Sequence, residues 1–155
     1  MKKLITIFSI TLTLSFLVAC SDQVKIQNNL TDKDGRWNID EMTYSLQFDT
    51  ITTFLKYENV GEIIFYESGS GIFIQYDTTL LVDVARYFEW ENTEGELTLQ
   101  YADDPAETPE TLYTIVTSEK DSVRLRYEDS YDSLGITANV TVELLLKRVD
   151  EIDNL

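Results

Sequence analysis

Asp34-Gly35-Arg36-Trp37 divides a polar stretch from an almost unbroken run of β-type sequence, and that run decides the fold. From Trp37 on, Tyr, Phe, Thr, Ile and Val dominate, period-two alternation recurs, and turn residues fall at hairpin spacing. Trp37-Asn38-Ile39 starts a strand. Met42, Tyr44, Leu46 and Phe48 continue it on the opposite parity, which predicts a bulge near Asp40-Glu41. Thr50 to Tyr57 (TITTFLKY) is ambiguous: Ile51, Phe54 and Leu55 share a helical face, while the Thr residues favour strand or loop.

Further on, Glu62 to Glu67 turns through Ser68-Gly69-Ser70-Gly71 into Ile72 to Tyr76, with Gly available for positive φ. A strand from Leu80 to Glu91 turns at Asn92-Thr93-Glu94-Gly95 into Glu96 to Tyr101. Ala102 to Glu110 holds both prolines and is the widest loop. Leu112 to Ser118 and Val123 to Glu128 form the next hairpin, and Asp129 to Leu134 reads as a polar loop. In the last strand Ile136, Ala138, Val140, Val142, Leu144 and Leu146 point one way. No crossover helix is long enough for a βαβ unit. The pattern therefore predicts an all-β fold, a small up-and-down antiparallel β-barrel of eight or nine strands, because closure removes exposed edges. A β-sandwich is the alternative. The barrel is expected over 34–149, followed by an acidic tail at 150–155.

The N-terminus reads differently. Lys2 and Lys3 precede an apolar run from Leu4 to Val18, too short for a membrane span but suited to a signal peptide over 1–19. It ends Leu17-Val18-Ala19-Cys20, which resembles the lipobox of bacterial lipoproteins. That resemblance implies a diacylglycerol on the Cys20 thiol and an acylated amine, such as palmitate, after cleavage. Several acyl chains hold a protein durably on a bilayer where one does not. Residues 20–33 are expected to be the lipidated Cys and a polar tether reaching roughly 20 Å, with Val24, Ile26 and Leu30 as a possible short edge strand. Ser21 after Cys20 favours the outer membrane, with periplasmic or surface facing left open.

Charge excludes several functions. Removing Lys2 and Lys3 from the 12 basic residues leaves 10 against 28 acids, a net charge of −18. Such a chain repels nucleic acid and is expected to be a soluble monomer outside its anchor. It has no His, so the commonest general base and metal ligand is missing. Asp32-Lys33-Asp34-Gly35 superficially fits a Ca²⁺ loop, but Leu30 stands at the first ligand position. No metal, cofactor or catalytic residue is expected, and the chain is not read as an enzyme.

Gly35-Arg36-Trp37 at the start of strand one resembles the lipocalin Gly-x-Trp signature, and Arg148 continues the inward parity of the last strand. The resemblance implies that Arg148 packs across Trp37 and closes the barrel base, a cation–π contact of roughly 0.5–2 kcal/mol. Ile63-Ile64-Phe65 before Glu67-Ser68-Gly69-Ser70-Gly71, then Phe88-Glu89-Trp90 and Lys147-Arg148, are similar to lipocalin-like lipoproteins of the Bacteroidota. The resemblance covers Gly35 to Val149 in order. The chain is shorter than secreted lipocalins and lacks their disulfide.

Eight-stranded barrels either hold one small ligand or fill with side chains. Phe73, Phe88, Trp90, Leu99, Tyr101, Tyr113, Leu125 and Tyr127 occupy inward positions and are the candidate ligand lining. Arg86 shares that parity and is a candidate partner for a ligand carboxylate; an Arg at the rim reaching into water is the plainer reading. Arg124 and Arg126 fall on the outer face. Asp49-Thr50-Ile51, Asp77-Thr78-Thr79, Asp121-Ser122-Val123 and Asp132-Ser133-Leu134 resemble Bacteroidota O-glycosylation sites. The functional expectation is a membrane-anchored, non-catalytic binding module for a small, partly apolar ligand. An envelope protein-interaction module with a packed core is the alternative, and a carboxylate-based hydrolase a third.

Overall fold

A computed structural model describes residues 22–77, 82–93, 95–105, 108–133 and 136–149. The expected signal peptide, Cys20, Leu80, Thr78-Thr79 and the 150–155 tail lie outside them. Eight strands run in sequence: β1 (Arg36–Phe48), β2 (Ile51–Phe65), β3 (Ser70–Asp77), β4 (Val82–Thr93), β5 (Glu96–Tyr101), β6 (Thr111–Glu119), β7 (Ser122–Ser133) and β8 (Ile136–Arg148). Each pairs antiparallel with the next, and β8 returns to β1, so the sheet is a closed up-and-down barrel. The ambiguous Thr50 to Tyr57 stretch is strand from Ile51 onward. Its Thr residues lie along an extended β1–β2 hairpin, where a helix would have had no face to bury.

The bulge falls where the parity change places it. Register shifts between Ile39 and Glu41 against both neighbours of β1. Trp37 and Ile39 point inward before the shift, and Met42 packs inward after it. Trp37, Ile39, Ile63, Phe65, Leu97, Leu99, Val123, Leu125 and Leu146 are essentially excluded from water. Edge-to-face contacts link Phe65 to Trp90 at 5.4 Å, Phe65 to Phe88 at 5.7 Å and Phe88 to Tyr101 at 5.8 Å, the geometry the ring quadrupoles favour. Gly71 belongs to this stack, because a Cβ there would stand 2.3 Å from the Phe88 ring.

Two expectations need correction. The polar tether over 20–33 is, over 22–31, an α-helix, here α1. Asp129 to Leu134 is no loop up to Ser133, because β7 pairs with β8 from Ser122↔Lys147 through Ser133↔Ile136. Polar alternation there hid a strand whose outer face is solvated.

The helix α1 lies on one end of the barrel and seals it. Leu30 is fully buried, and Ile26, one turn earlier on the same face, packs against the core. The Trp37 indole Nε1–H donates to the Leu30 carbonyl at 2.9 Å. The Arg148 guanidinium lies 3.9 Å from the Trp37 ring centroid. It donates to the carbonyls of Asp32 at 2.6 Å, Asn29 at 2.7 Å and Lys120 at 2.9 Å. These carbonyls include the unpaired acceptors at the helix C-terminus, where a cation also opposes the helix dipole. At the other end of α1, Gln23 and Asn92 exchange side-chain-to-backbone hydrogen bonds at 2.7 and 3.0 Å. Gly35 completes the closure: its φ is +64°, and a Cβ would stand 1.9 Å from the Phe65 carbonyl oxygen. The expected Gly35–Trp37–Arg148 closure is thus present, with a helix as the part it grips.

Candidate ligand site at the open end of the barrel

Among the described residues, nothing seals the opposite end. β2 pairs, among the described residues, with β3 over Gly61–Phe65, and β6 pairs with β7 up to Arg126. Beyond those points β7, β8, β1 and β2 continue together as a four-stranded blade. The barrel therefore closes in its lower half and opens into a trough above.

Strand alternation settles which residues line that trough. Met42 and Tyr127 pack against the core, so Tyr44, Leu46 and Phe48 on β1 share its inner side, as do Asp129 and Tyr131 on β7. Their cross-strand partners are Leu55, Thr53 and Ile51 on β2 and Val142, Val140 and Ala138 on β8. This inner face is apolar and aromatic yet wet: Ile51 is 69% exposed, Leu55 54%, Tyr57 48% and Tyr131 56%. The outer face carries Thr43, Ser45, Gln47, Asn139 and Thr141, with Phe54 as an exception. A hydrophobic face turned toward the barrel axis, left open to water and continuous with the core, is the unusual feature of this surface.

Polar groups are few and placed. Tyr127 Oη donates to Asp129 Oδ2 at 2.9 Å, and the Ser130 amide donates to Oδ1 at 2.7 Å. The Tyr131 and Tyr127 hydroxyls and that amide hold the Asp129 carboxyl below its ordinary range. Tyr113 and Tyr127 rings lie 6.0 Å apart, and Tyr44 and Tyr57 meet edge-on at 6.4 Å. Burial pushes the Tyr113 phenol up, neighbouring tyrosines adding to the effect.

Arg86 stands at the rim on the other side. Its guanidinium lies 4.0 Å from the Tyr101 ring centroid and meets Asp103 at 2.9 Å and Asp104 at 2.7 Å. Hydrogen bonding to Arg86 holds the Asp103 carboxyl below its usual range. An inward cation awaiting a ligand carboxylate is thus not what the fold presents: two carboxylates of the following loop already occupy it. Arg124 and Arg126 lie outside, both against Glu143.

The candidate lining divides by depth. Phe88, Trp90, Leu99 and Tyr113 are buried in the packed core, and Leu125 is fully excluded from water there. Trp90 is further fixed by its indole N–H on the Ser70 carbonyl at 2.9 Å, toward the sealed end. Phe73, Tyr101 and Tyr127 are half-buried and form the top layer beneath the trough. Sequence reasoning missed Tyr44, Leu46, Ile51, Leu55, Tyr57, Asp129 and Tyr131. Their signal was present as alternation through Met42-Tyr44-Leu46-Phe48 and Tyr127-Asp129-Tyr131, but the second run was hidden by its polar partners. Among the described residues no group of three or more potential metal ligands converges. Asp49-Thr50 is exposed at the β1–β2 turn, while Asp121-Ser122 lies at the sealed end.

A closed eight-stranded meander with a Gly-x-Trp start and a last-strand Arg over that Trp is a lipocalin-like barrel. No family model and no curated protein matches the chain. Among solved structures, it is similar to a lipocalin-like protein from Bacteroides uniformis at 12% identity, covering 74% of this chain and 96% of that one, with a TM-score of 0.47. An uncharacterized protein from Bacteroides eggerthii gives 13% identity, 76% and 100% coverage, and a TM-score of 0.48. A bovine odorant binding protein, as a deswapped triple mutant, gives 15% identity, 77% and 76% coverage, and a TM-score of 0.38. Strand order and base closure, rather than these distant likenesses, carry the assignment.

Proposed function

We propose that this chain is a lipid-anchored envelope protein whose barrel binds a small, partly apolar ligand in the trough at its open end. The observation that carries this reading is the exposed apolar inner face of the β7–β8–β1–β2 blade, which runs without a break into the packed core. Ligand sites are concave and mostly apolar, with a few placed polar groups, and Asp129 with its tyrosines supplies those groups. The site does not reach Trp90, so the ligand rests on Phe73, Tyr101 and Tyr127 rather than among Phe88, Trp90 and Leu99. The reading is of a binding protein without catalytic chemistry.

The anchor is the acylated Cys20. With α1 described from residue 22 and pinned to the sealed end, the two residues of chain back to Cys20 reach at most about 7 Å. On this reading the sealed end sits against the membrane, most simply the outer membrane, and the trough opens away from it. A docking role for another envelope protein is a second reading. It is favoured by a cleft of about 660 Å³ beside α1, lined by Lys25, Ile26, Asn29, Gly95, Ser118 and Lys120 among others.

Titration with the neutral dye N-phenyl-1-naphthylamine tests the trough. Saturable fluorescence enhancement is expected for the wild type and for Leu112→Glu, whose side chain lies on the outer face of β6. Leu55→Glu should abolish it. Equal binding by both variants would move the site off the trough, and no binding at all would remove the reading. Metabolic labelling with a palmitate analogue tests the anchor, with Cys20→Ser expected to lose the label.

A further inference from the structure

We infer that the trough selects a small organic cation: an ammonium head seated at Asp129 among tyrosine rings, with an alkyl or aryl body against the Leu46–Leu55–Val140 floor. This deepens the ligand-binding reading and rests on it. The juxtaposition is specific. Asp129 pairs across strands with Val140, which pairs with Leu46, so a carboxylate stands beside an apolar floor rather than in a solvated loop. Tyr127 and Tyr131 flank it on the same side of β7, and Tyr113 lies 6.0 Å from Tyr127, ring centre to ring centre. A phenol that donates to a carboxylate, as Tyr127 does, carries a more electron-rich ring, and such rings attract cations over their faces.

Charges around the trough agree in sign. Arg86 is matched by Asp103 and Asp104. Lys56 pairs with Glu41 and Glu58 on the outer side of β1 and β2. Among the described residues no Lys or Arg forms an ion pair with Asp129. The formal net charge of −16 raises the local concentration of cations and repels fatty acids, the obvious anionic competitors.

The same molecule shows the pairing in use at its own cations. Arg86 combines an aromatic face, Tyr101, with two carboxylates, and Arg148 lies over Trp37. Aromatic faces inside this barrel therefore already take cations at both ends of the core. The Asp129–Tyr127–Tyr131 group offers the same chemistry to a ligand.

Calorimetric titration at physiological ionic strength compares three probes with one tail: octyltrimethylammonium, 1-octanol and octanoate. The ammonium is expected to bind about tenfold more tightly than the alcohol, and octanoate most weakly. In Asp129→Asn the ammonium-to-alcohol ratio should fall to about one, and Tyr131→Leu should reduce it partway. Equal affinity for octyltrimethylammonium and octanol in the wild type would overturn cation selection while leaving apolar ligand binding in place. A ratio unchanged in Asp129→Asn would overturn the assigned head-group site. If none of the three probes binds, cation selection fails; if the neutral dye fails too, the ligand-binding reading falls with it.

Discussion

Trp37→Ala tests the closure most directly. Trp37 is fully buried, and deleting a buried Trp to Ala costs about 3–5 kcal/mol through lost transfer energy and cavity. Two further losses act in the same place. The Leu30 carbonyl loses the indole N–H, and an orphaned buried acceptor costs about 1–3 kcal/mol. Arg148 loses the ring beneath it, worth roughly 0.5–2 kcal/mol. These overlap, so a destabilisation of at least about 4 kcal/mol is expected, a large part of the roughly 5–15 kcal/mol of a typical domain. In a domain of this size that corresponds to a fall in Tm on the order of 15 °C. Trp37→Phe keeps one six-membered ring but removes the indole donor and leaves a smaller void, so its cost should be lower than that of Trp37→Ala, about 2–3 kcal/mol. Urea unfolding monitored by far-ultraviolet circular dichroism measures both, since each variant also loses one of the two tryptophans as a fluorescence probe. Hydrogen exchange over 22–31 should rise in both variants. A cost below about 1 kcal/mol for Trp37→Ala, or protection of the helix left unchanged, would refute the closure argument.

Two other outcomes rest on the same geometry. Gly35→Ala should cost more than about 2 kcal/mol, because positive φ adds roughly 1–2 kcal/mol for an L-residue and the new Cβ also meets the Phe65 carbonyl at 1.9 Å. Gly95→Ala has a similar φ of +79° with nothing within 4 Å, so its cost should stay near about 1 kcal/mol; equal costs would show that the close approach does not matter. At alkaline pH the tyrosines dominate. Burial, helped by Glu62, pushes Tyr76 from its ordinary 10 up to about 12, and burial also raises Tyr113. A raised folded-state value favours the neutral phenol, so this stability is complete below about pH 10 and is lost as pH rises through about 12. The urea midpoint should therefore fall across that window, less steeply in Tyr113→Phe, and a flat midpoint would contradict the assignment.

Most of the barrel was legible because its residues obey a local rule. Alternation from Trp37 onward, Gly at the hairpins and the parity change at Asp40 are all written within a few residues of one another. The helix α1 was not legible in the same way. Its apolar signal is only Ile26 and Leu30 at i and i+4, too short to propagate a helix alone; what holds it is Arg148, Trp37, Asn92 and the β6–β7 turn, all distant in sequence. The upper part of β7 was missed for a related reason: Tyr127-Glu128-Asp129-Ser130-Tyr131-Asp132 has the composition of a loop, and β8 makes it a strand. Arg86 shows the limit of parity. Its inward direction was correct, but Asp103 and Asp104 lie on a loop whose return to the rim no local pattern encodes.

By itself, then, the sequence determined an all-β meander and the acidic character of its surface, because periodicity, glycine placement and charge are properties of neighbouring residues; the closure of the base by Gly35, Trp37 and Arg148 was implied only by resemblance to the lipocalin pattern. Only the tertiary structure decided that the lead-in is a plug, that β2 and β7 outrun their partners, and that Asp129 faces inward among tyrosines. Those depend on where strands stop pairing, and pairing length is set by contacts between segments far apart in the chain.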